Sequence, residues 1–507
     1  MTDPDPATSR PDPTAPRPDP NAPQPGVTQH RGRPRIWRGE ELTEPMPLSA
    51  SLRRTPYRNP RRMEAPAEEQ TVRTALELAV RAGELMLRCG GSARDVESSI
   101  VAVATSAGLE RLEVDITNQS LLVQCVSPSG QLHTLLRVVR STSRDFARLA
   151  ALHEFVEALV AGRIDLRQAT ARLRQIRRHP RFWPRWAITL SYGVLAGSVA
   201  LKLGASVPAV ALALLSAMLV DRVGRVLASR GLPSFYLSAV GGAIATAVAW
   251  GAFVLGRSGA LDLTRADSAY IVAGGIVVLL PGRAMVSSVE DAITGYPVTG
   301  AGRLFTVGLT AAGIITGVAA ALSVTVRLDQ AFGLGASLPK ISVEGAGVAL
   351  PVLVVAGAVG AVASAIAQRT RRKLLVPTAV LGGLGTLVTG VVHQTFGLGQ
   401  LTALTIACVL IGFGGRLVAL RMGAPGLVLV VPAVGPLLPG LTIFRGMSLL
   451  VSGSVIGQGG ASTAAGLTIL LGAGAAALAI ATGVVLGDLM ASPFDRQIVR
   501  QRRARLR

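Results

Sequence analysis

A chain of 507 residues that is 50% hydrophobic, with 57 glycines and 4% aromatics, has the composition of close-packed membrane helices, where small residues let backbones approach. Its formal net charge of +21 would suggest nucleic acid in a soluble protein, but the arginines sit in short loops and at the flanks of apolar runs, which points to a lipid bilayer and excludes nucleic acid as the partner. Three scattered cysteines, Cys89, Cys125 and Cys408, exclude a disulfide framework and a cysteine metal site.

Residues 1–66 are rich in Pro, Asp, Arg and Thr and hold no apolar stretch. They are expected to form a disordered tail, and they carry no cleavable signal. Residues 67–180 read as a small cytoplasmic α+β domain, which puts Cys89 and Cys125 in a reducing compartment. Apolar residues at helical spacing (Ala75, Leu78, Ala79, Ala82, Leu85, Met86) predict a helix over 71–89, ended by Gly90 and Gly91. Ser92 can cap a second helix over 93–106. Strands are predicted at 112–117 and 120–126 around an Asn118-Gln119 turn, with a third at 131–139. Helices over 143–161 and 165–177 complete the domain.

After Arg185 the runs become long enough to cross ~30 Å of hydrocarbon. Ten spans are predicted, at about 186–204, 205–220, 234–256, 268–288, 302–325, 345–367, 374–392, 400–420, 424–443 and 462–487. With both termini cytoplasmic, only Lys202, Arg257, Arg265, Arg327, Lys340 and Arg445 fall outside; every other Lys and Arg from Arg163 onward is inside. The sequence Leu279-Leu280-Pro281-Gly282 recurs as Leu437-Leu438-Pro439-Gly440, an offset of 158 residues. The same offset carries the first span onto the sixth, and the fourth and fifth onto the ninth and tenth. The expected fold is therefore an α-helical polytopic membrane protein of two five-helix repeats, 181–326 and 345–490. An extracytoplasmic linker at 327–344 joins them, and a basic cytoplasmic tail follows at 491–507. An odd number of spans per repeat inverts the second copy, an architecture that suits secondary transport.

Proline removes a backbone donor and glycine permits unusual dihedrals, so Pro281-Gly282 and Pro439-Gly440 read equally as packing kinks or as breaks at a binding site. A half-helix starting at Arg283 would present its positive end to a carboxylate. Arg283, Ser287, Glu290, Asp291 and Thr294 lie on one of its faces, Gly295 ends it, and Arg303 begins the next span. The second copy offers Pro439, Gly440 and Arg445, a base without an acid. Arg283 and Arg303 read as well as anchors of span ends, and Glu290 and Asp291 read first as solvated carboxylates. The candidates for a proton-linked role are Glu290, Asp291, Asp221 and Asp488. No cofactor or metal is expected.

The block from Leu280 to Arg303, with Gly90-Gly91-Ser92-Ala93-Arg94-Asp95-Val96-Glu97 and Leu149-Ala150-Ala151-Leu152-His153-Glu154-Phe155, resembles the bacterial threonine/serine exporter family over about 70–488. The Pro-rich tail looks like an addition, and the Arg-rich style suggests an actinobacterial source. The resemblance implies a plasma-membrane exporter of small neutral amino acids driven by the proton motive force, with family motif positions at Pro281, Gly282, Arg283, Asp291, Gly295 and Arg303. Two other functions stand beside it. A serine hydrolase would need Ser92, His133 or His153, and Asp145 in reach of one another, but no G-x-S-x-G elbow is present and Ser92 fits a helix cap. A gated channel would need a continuous polar path, which the spans do not show.

Overall fold

The computed structural model describes residues 67–494, apart from 108, 110–111, 128, 141, 181, 260, 265, 334–347 and 456–459. The tail at 1–66, most of the linker at 327–344 and most of the basic tail at 491–507 lie outside the described residues.

The N-terminal unit is α+β. Its elements are α1 (Ala67–Cys89), α2 (Ala93–Ser106), β1 (Leu112–Thr117), β2 (Ser120–Val126), β3 (Leu132–Val138), α3 (Phe146–Val160) and α4 (Leu166–Arg178). Helix α1 starts at Ala67, four residues before the predicted 71. Gly90, at φ 92, stops it where a side chain would be strained. Ser92 then caps α2, its Oγ accepting from the Asp95 amide at 3.3 Å. The strands form an antiparallel meander in the order β1-β2-β3. Thr117 pairs with Ser120, leaving Asn118 and Gln119 as the turn, with Asn118 at φ 42, a conformation asparagine tolerates. Leu121, Val123 and Cys125 of β2 alternate onto a core with Leu76, Met86, Ile100, Phe146 and Phe155. Burial first, with the Asp145 charge adding to it, pushes the Cys89 thiol up to about 12, so it is inert at neutral pH.

The second unit is a bundle. Its helices are α5 (Arg185–Lys202), α6 (Val207–Ser229), α7 (Ser234–Arg257), the bent pair α8 (Asp267–Val277) and α9 (Gly282–Ile293), α10 (Pro297–Phe332), α11 (Leu350–Ala367), α12 (Leu375–Gln394), α13 (Gln400–Met422), a second bent pair α14 (Leu427–Val434) and α15 (Gly440–Val455), and α16 (Gly460–Ala491). Among the described residues, seven helices are long and apolar enough to cross a membrane, or nine if each bent pair is one span. Helix α5, with a charge at each end in Arg185 and Lys202, is not apolar enough over its 18 residues to be among them. The pairs bend by 55° and 47°. The chain is therefore a mostly helical, multi-pass membrane protein.

The first two spans divide at Gly204, where the hydropathy reading placed their boundary, and Ser206 caps α6 by accepting from the Ala209 amide at 3.4 Å. Helix α6 does not stop at 220. Asp221 pairs with Arg225 one turn on at 2.5 Å, and this mutual neutralisation lets the helix continue to Ser229.

The halves share an order: three helices, a bent pair, a long helix. They also share a packing pattern. The third helix runs along the long one in each half, α7 on α10 and α13 on α16. Glycine makes both approaches possible: a Cβ on Gly317 would stand 1.8 Å from the Ala239 carbonyl oxygen, and one on Gly487 would stand 2.1 Å from that of Val409. Between halves, α5 packs on α11, α8 on α15 and α9 on α14.

Candidate functional site

The two breaks lie against each other. A Cβ on Gly282 would approach Leu438 Cδ1 at 2.9 Å, and one on Gly440 would approach Val277 Cγ2 at 2.8 Å. Each break is built the same way. Gly282 donates to the Leu280 carbonyl and Gly440 to the Leu438 carbonyl, both at 2.9 Å. These short turns take the amides that would have closed the helix onto Val278 and Pro436. The residues one position earlier, Pro281 and Pro439, have no N–H to offer. The carbonyls of Val278 and Pro436 thus lose both their helical donors. At Pro436 the loss is made good by Lys202 of α5, whose Nζ donates to the carbonyl at 2.8 Å.

Beyond the first break, α9 faces the α+β unit. Asp291 is 0% exposed. Its Oδ1 accepts from the Ala93 amide at 2.8 Å and its Oδ2 from Arg303 at 2.5 Å. A carboxylate thus sits at the N-terminus of α2, where the helix field favours it. Gly295, at φ 102, turns the chain into α10, and Tyr296 donates back to the Asp291 carbonyl at 2.8 Å. One turn into α10, Thr299 Oγ1 donates to the Ile116 carbonyl at 2.9 Å and accepts from the Asn118 amide at 3.0 Å. The Arg283 guanidinium lies over Gly90, filling the space a Cβ would need there. Ser287 donates back to the Arg283 carbonyl at 3.0 Å.

A second contact joins the α+β unit to the turn after α11. The Phe146 and Ala147 amides, free at the start of α3, donate to the Gln368 and Arg369 carbonyls at the end of α11, both at 3.1 Å. Trp183 Nε1 donates to the Thr370 carbonyl at 2.8 Å. Glu154 of α3 pairs with Arg371 at 2.7 Å and Lys373 at 3.3 Å. Burial of Glu154 opposes its ionisation, but the hydrogen bond and charge of Arg371, with Lys373 behind, outweigh it and hold the carboxyl below its usual 4.5. A carboxyl lowered on docking stabilises the docked form fully above 4.5 and loses that contribution as pH falls through the docked value. Docking is therefore expected to weaken below pH 4.5, and Glu154→Gln should flatten that part of the dependence. Protease cleavage of the 179–184 connector against pH measures it; identical profiles for both proteins would exclude a role for this pair.

A cleft of about 170 Å³ opens between the two units. That is roughly ten times the room one water needs. Arg94, Asp95 and Ser98 of α2 line one wall; Glu290 and Thr294 of α9, Arg416 of α13 and Asp488 of α16 line the other. Arg416 and Asp488 form an ion pair. Carboxylates and guanidinium groups face a common space floored by Val286, Leu420, Val430 and Val484. Such a space suits a small zwitterion, which needs an anion and a cation partner a few ångströms apart.

A family model described as "Putative threonine/serine exporter" matches residues 77–325, and a second, described as "Threonine/Serine exporter, ThrE", matches 353–490. A "Probable threonine/serine exporter" of Mycobacterium tuberculosis is 33% identical over 426 residues, 83% of this chain and 77% of that protein. The chain belongs to the threonine/serine exporter family. The "Threonine/serine exporter" of Corynebacterium glutamicum is 29% identical over 439 residues, 85% of each chain. No solved structure matches. Membership makes the chain a membrane transporter and not an enzyme. Ser92 is occupied as a helix cap and Asp145 caps α3 by accepting from the Arg148 amide at 3.0 Å, so the hydrolase reading gains nothing from the structure.

Set against this family, most of the residues singled out in sequence fall into three groups, with Asp221 and Arg445 apart from them. Pro281, Gly282, Pro439 and Gly440 meet at the crossing of the breaks. Arg283, Asp291, Gly295 and Arg303 hold the α+β unit, so Asp291 is not the solvated carboxylate its position suggests. Glu290, half-buried, and Asp488 come together in the cleft. Asp221 is elsewhere, tying α6 to α5 through Arg225 and Thr189. Arg445 lies on α15, and no hydrogen bond or ion pair among the described residues joins it to the polar face of α9. Sequence reasoning missed Lys202, read as an outer-loop charge, together with Arg94, Asp95 and Arg416. It also passed over Asp267, 1% exposed at the start of α8, which accepts from the Ser206 amide at 2.9 Å. A lone lysine at the end of an apolar run carries no local sign of whether it points out or in.

Proposed function

We propose that this protein exports threonine and serine across the plasma membrane by alternating access, in exchange for protons, as ten spans in two inverted five-helix repeats. Both termini and the α+β unit are then cytoplasmic. The observation that carries the reading is the meeting of two broken helices at equivalent places in two halves of the same helix order. Discontinuous helices expose backbone groups inside a bundle, and exchanging the conformations of inverted halves opens the site to alternate sides. The tenth span is α5, and the distribution of arginine supports the orientation. Substrates named for the relatives are small hydroxyl amino acids.

On this reading the cleft is the intake from the cytoplasm. Glu290, Asp95 and Asp488 take the ammonium, Arg94 and Arg416 the carboxylate, and Thr294 or Ser98 the hydroxyl. The path leads past Val286 to the crossing at Pro281, Gly282, Pro439 and Gly440. Arg283, Ser287, Asp291, Gly295 and Arg303 set the position of α9 along it, Asp221 braces α5 and α6, and Arg445 extends the second half-helix. Efflux of labelled threonine and serine from preloaded cells, with and without a protonophore, tests the reading. Faster, protonophore-sensitive efflux on restoring the protein to a strain that lacks it is expected. Equal efflux with and without the protein would remove the substrate assignment, and insensitivity to the protonophore would remove the coupling.

A further inference from the structure

Lys202 is placed where a charge is costly. It ends α5, its side chain is half-buried, and it reaches across to the break of the other half, 234 residues away in sequence. Its partner is a backbone carbonyl, not a carboxylate. Helix α5 packs against α6, α8, α11 and the short turn 435–437. The titratable or charged residues on these elements are Asp221, Arg222 and Arg225 of α6, and Asp267 and Tyr270 of α8; α11 and the turn carry none. Asp221 is paired with Arg225. Asp267 accepts from the Ser206 amide and from both the amide and hydroxyl of Thr264. On α5 itself, Arg185 is at the opposite end, and Tyr192 accepts from Arg144. No ion pair to Lys202 exists among the described residues.

The carbonyl it meets is special. Pro436 has lost both helical donors, through the missing N–H of Pro439 and the turn that takes the Gly440 amide to Leu438. Oxygens freed at the end of a broken half-helix carry the negative end of its dipole and are natural ligands for a cation. Here the cation is tethered to the chain. Helix α11, the counterpart of α5 in the second half, carries no lysine. Among the described residues no side-chain hydrogen bond to the Val278 carbonyl matches the one from Lys202 to Pro436.

We propose that Lys202 is the coupling cation of the exporter: its ammonium holds the second break closed through the Pro436 carbonyl, and the proton it carries is the one exchanged for substrate. The inference rests on the proton-coupled reading above. In the step itself one N–H bond of the ammonium breaks, the electron pair stays on Nζ and the proton passes to water. The neutral amine is a weaker donor than the ammonium, so the carbonyl is released and the half-helices α14 and α15 can move against α5. Reprotonation from the other side restores the hold. A fixed cation could make the contact but could not complete the cycle.

The test uses the full chain in proteoliposomes, wild type against Lys202→Arg and Lys202→Met. Two fluxes of labelled threonine are read: accumulation driven by an imposed proton gradient, and exchange against unlabelled threonine with no gradient. Wild type is expected to approach the roughly fortyfold accumulation that one proton can sustain at ordinary membrane potentials. Both variants should lose it, to about the passive level, while Lys202→Met still exchanges, because like the deprotonated lysine it leaves the Pro436 carbonyl released. Lys202→Arg, whose guanidinium stays charged, should hold the break closed and lose exchange as well. Gradient-driven accumulation by Lys202→Arg equal to wild type would overturn the proposal and leave the lysine a packing contact. Loss of exchange in both variants would also overturn it, assigning Lys202 to the fold. If wild type itself fails to accumulate, proton coupling is wrong and the inference falls with it.

Discussion

Replacing Arg303 with methionine should release the α+β unit from the bundle. The Asp291 carboxylate, 0% exposed, has the Arg303 guanidinium at 2.5 Å and the Ala93 amide at 2.8 Å as its partners. Removing one member of such a pair leaves an uncompensated buried charge, which costs about 3–5 kcal/mol. The expected readout is faster hydrogen exchange at the Ala93 and Asn118 amides, and faster protease cleavage of the 179–184 connector. Removing both charges, as in Arg303→Met with Asp291→Leu, should recover much of the loss, since an apolar pair of similar volume is often no worse than the ions it replaces. Unchanged protection in Arg303→Met would mean that the contacts around Phe146 and Glu154 hold the unit alone.

The largest effect expected within the bundle is at Gly317. Its missing side chain lets α10 lie directly on α7, and a Cβ there would stand 1.8 Å from the Ala239 carbonyl oxygen. The obstacle is backbone, so no rotamer change relieves it. Gly317→Leu should separate the two helices and cost at least the ~1–3 kcal/mol of ordinary overpacking. The midpoint of thermal unfolding in detergent should fall, with aggregation in place of a monodisperse peak. Gly308, on the same helix, has nothing within 4 Å of its Cβ position, so Gly308→Leu serves as the matched change in open space. Equal midpoints for the two variants would show that the helices can shift apart at no cost.

Much of this architecture is legible in the sequence because its causes are local. Ser92 caps α2, Asn118 turns β1 into β2, and the two Leu-Pro-Gly runs break helices, each through the chemistry of one or two residues. Helix ends are harder. Charged residues usually mark the membrane surface, yet Asp221 and Arg225 neutralise each other inside α6 and the helix runs through them. The site is least legible where partners lie far apart along the chain. Asp291 meets Ala93 across 198 residues, and Lys202 meets Pro436 across 234. Periodicity describes one face of one helix and cannot say which other helix that face will find. The same limit hid Arg94 and Arg416, which are unremarkable as helix-surface arginines and gain meaning only from the cleft they share.

Helix α10 is continuous over 36 residues, about 54 Å at 1.5 Å per residue, against a hydrocarbon core of about 30 Å. Its first turn is gripped by the α+β unit through Thr299, and its middle is pressed onto α7 at Gly317. Among the described residues it is the longest helix, a strut that begins at the docked unit and exceeds the hydrocarbon thickness of the bilayer. A tilt of a few degrees imposed at Thr299 would be delivered, magnified by leverage, to Phe332 at the far end. With the α+β unit on the cytoplasmic side, as proposed above, such a helix would be a mechanical linkage by which events on one face of the membrane are felt on the other.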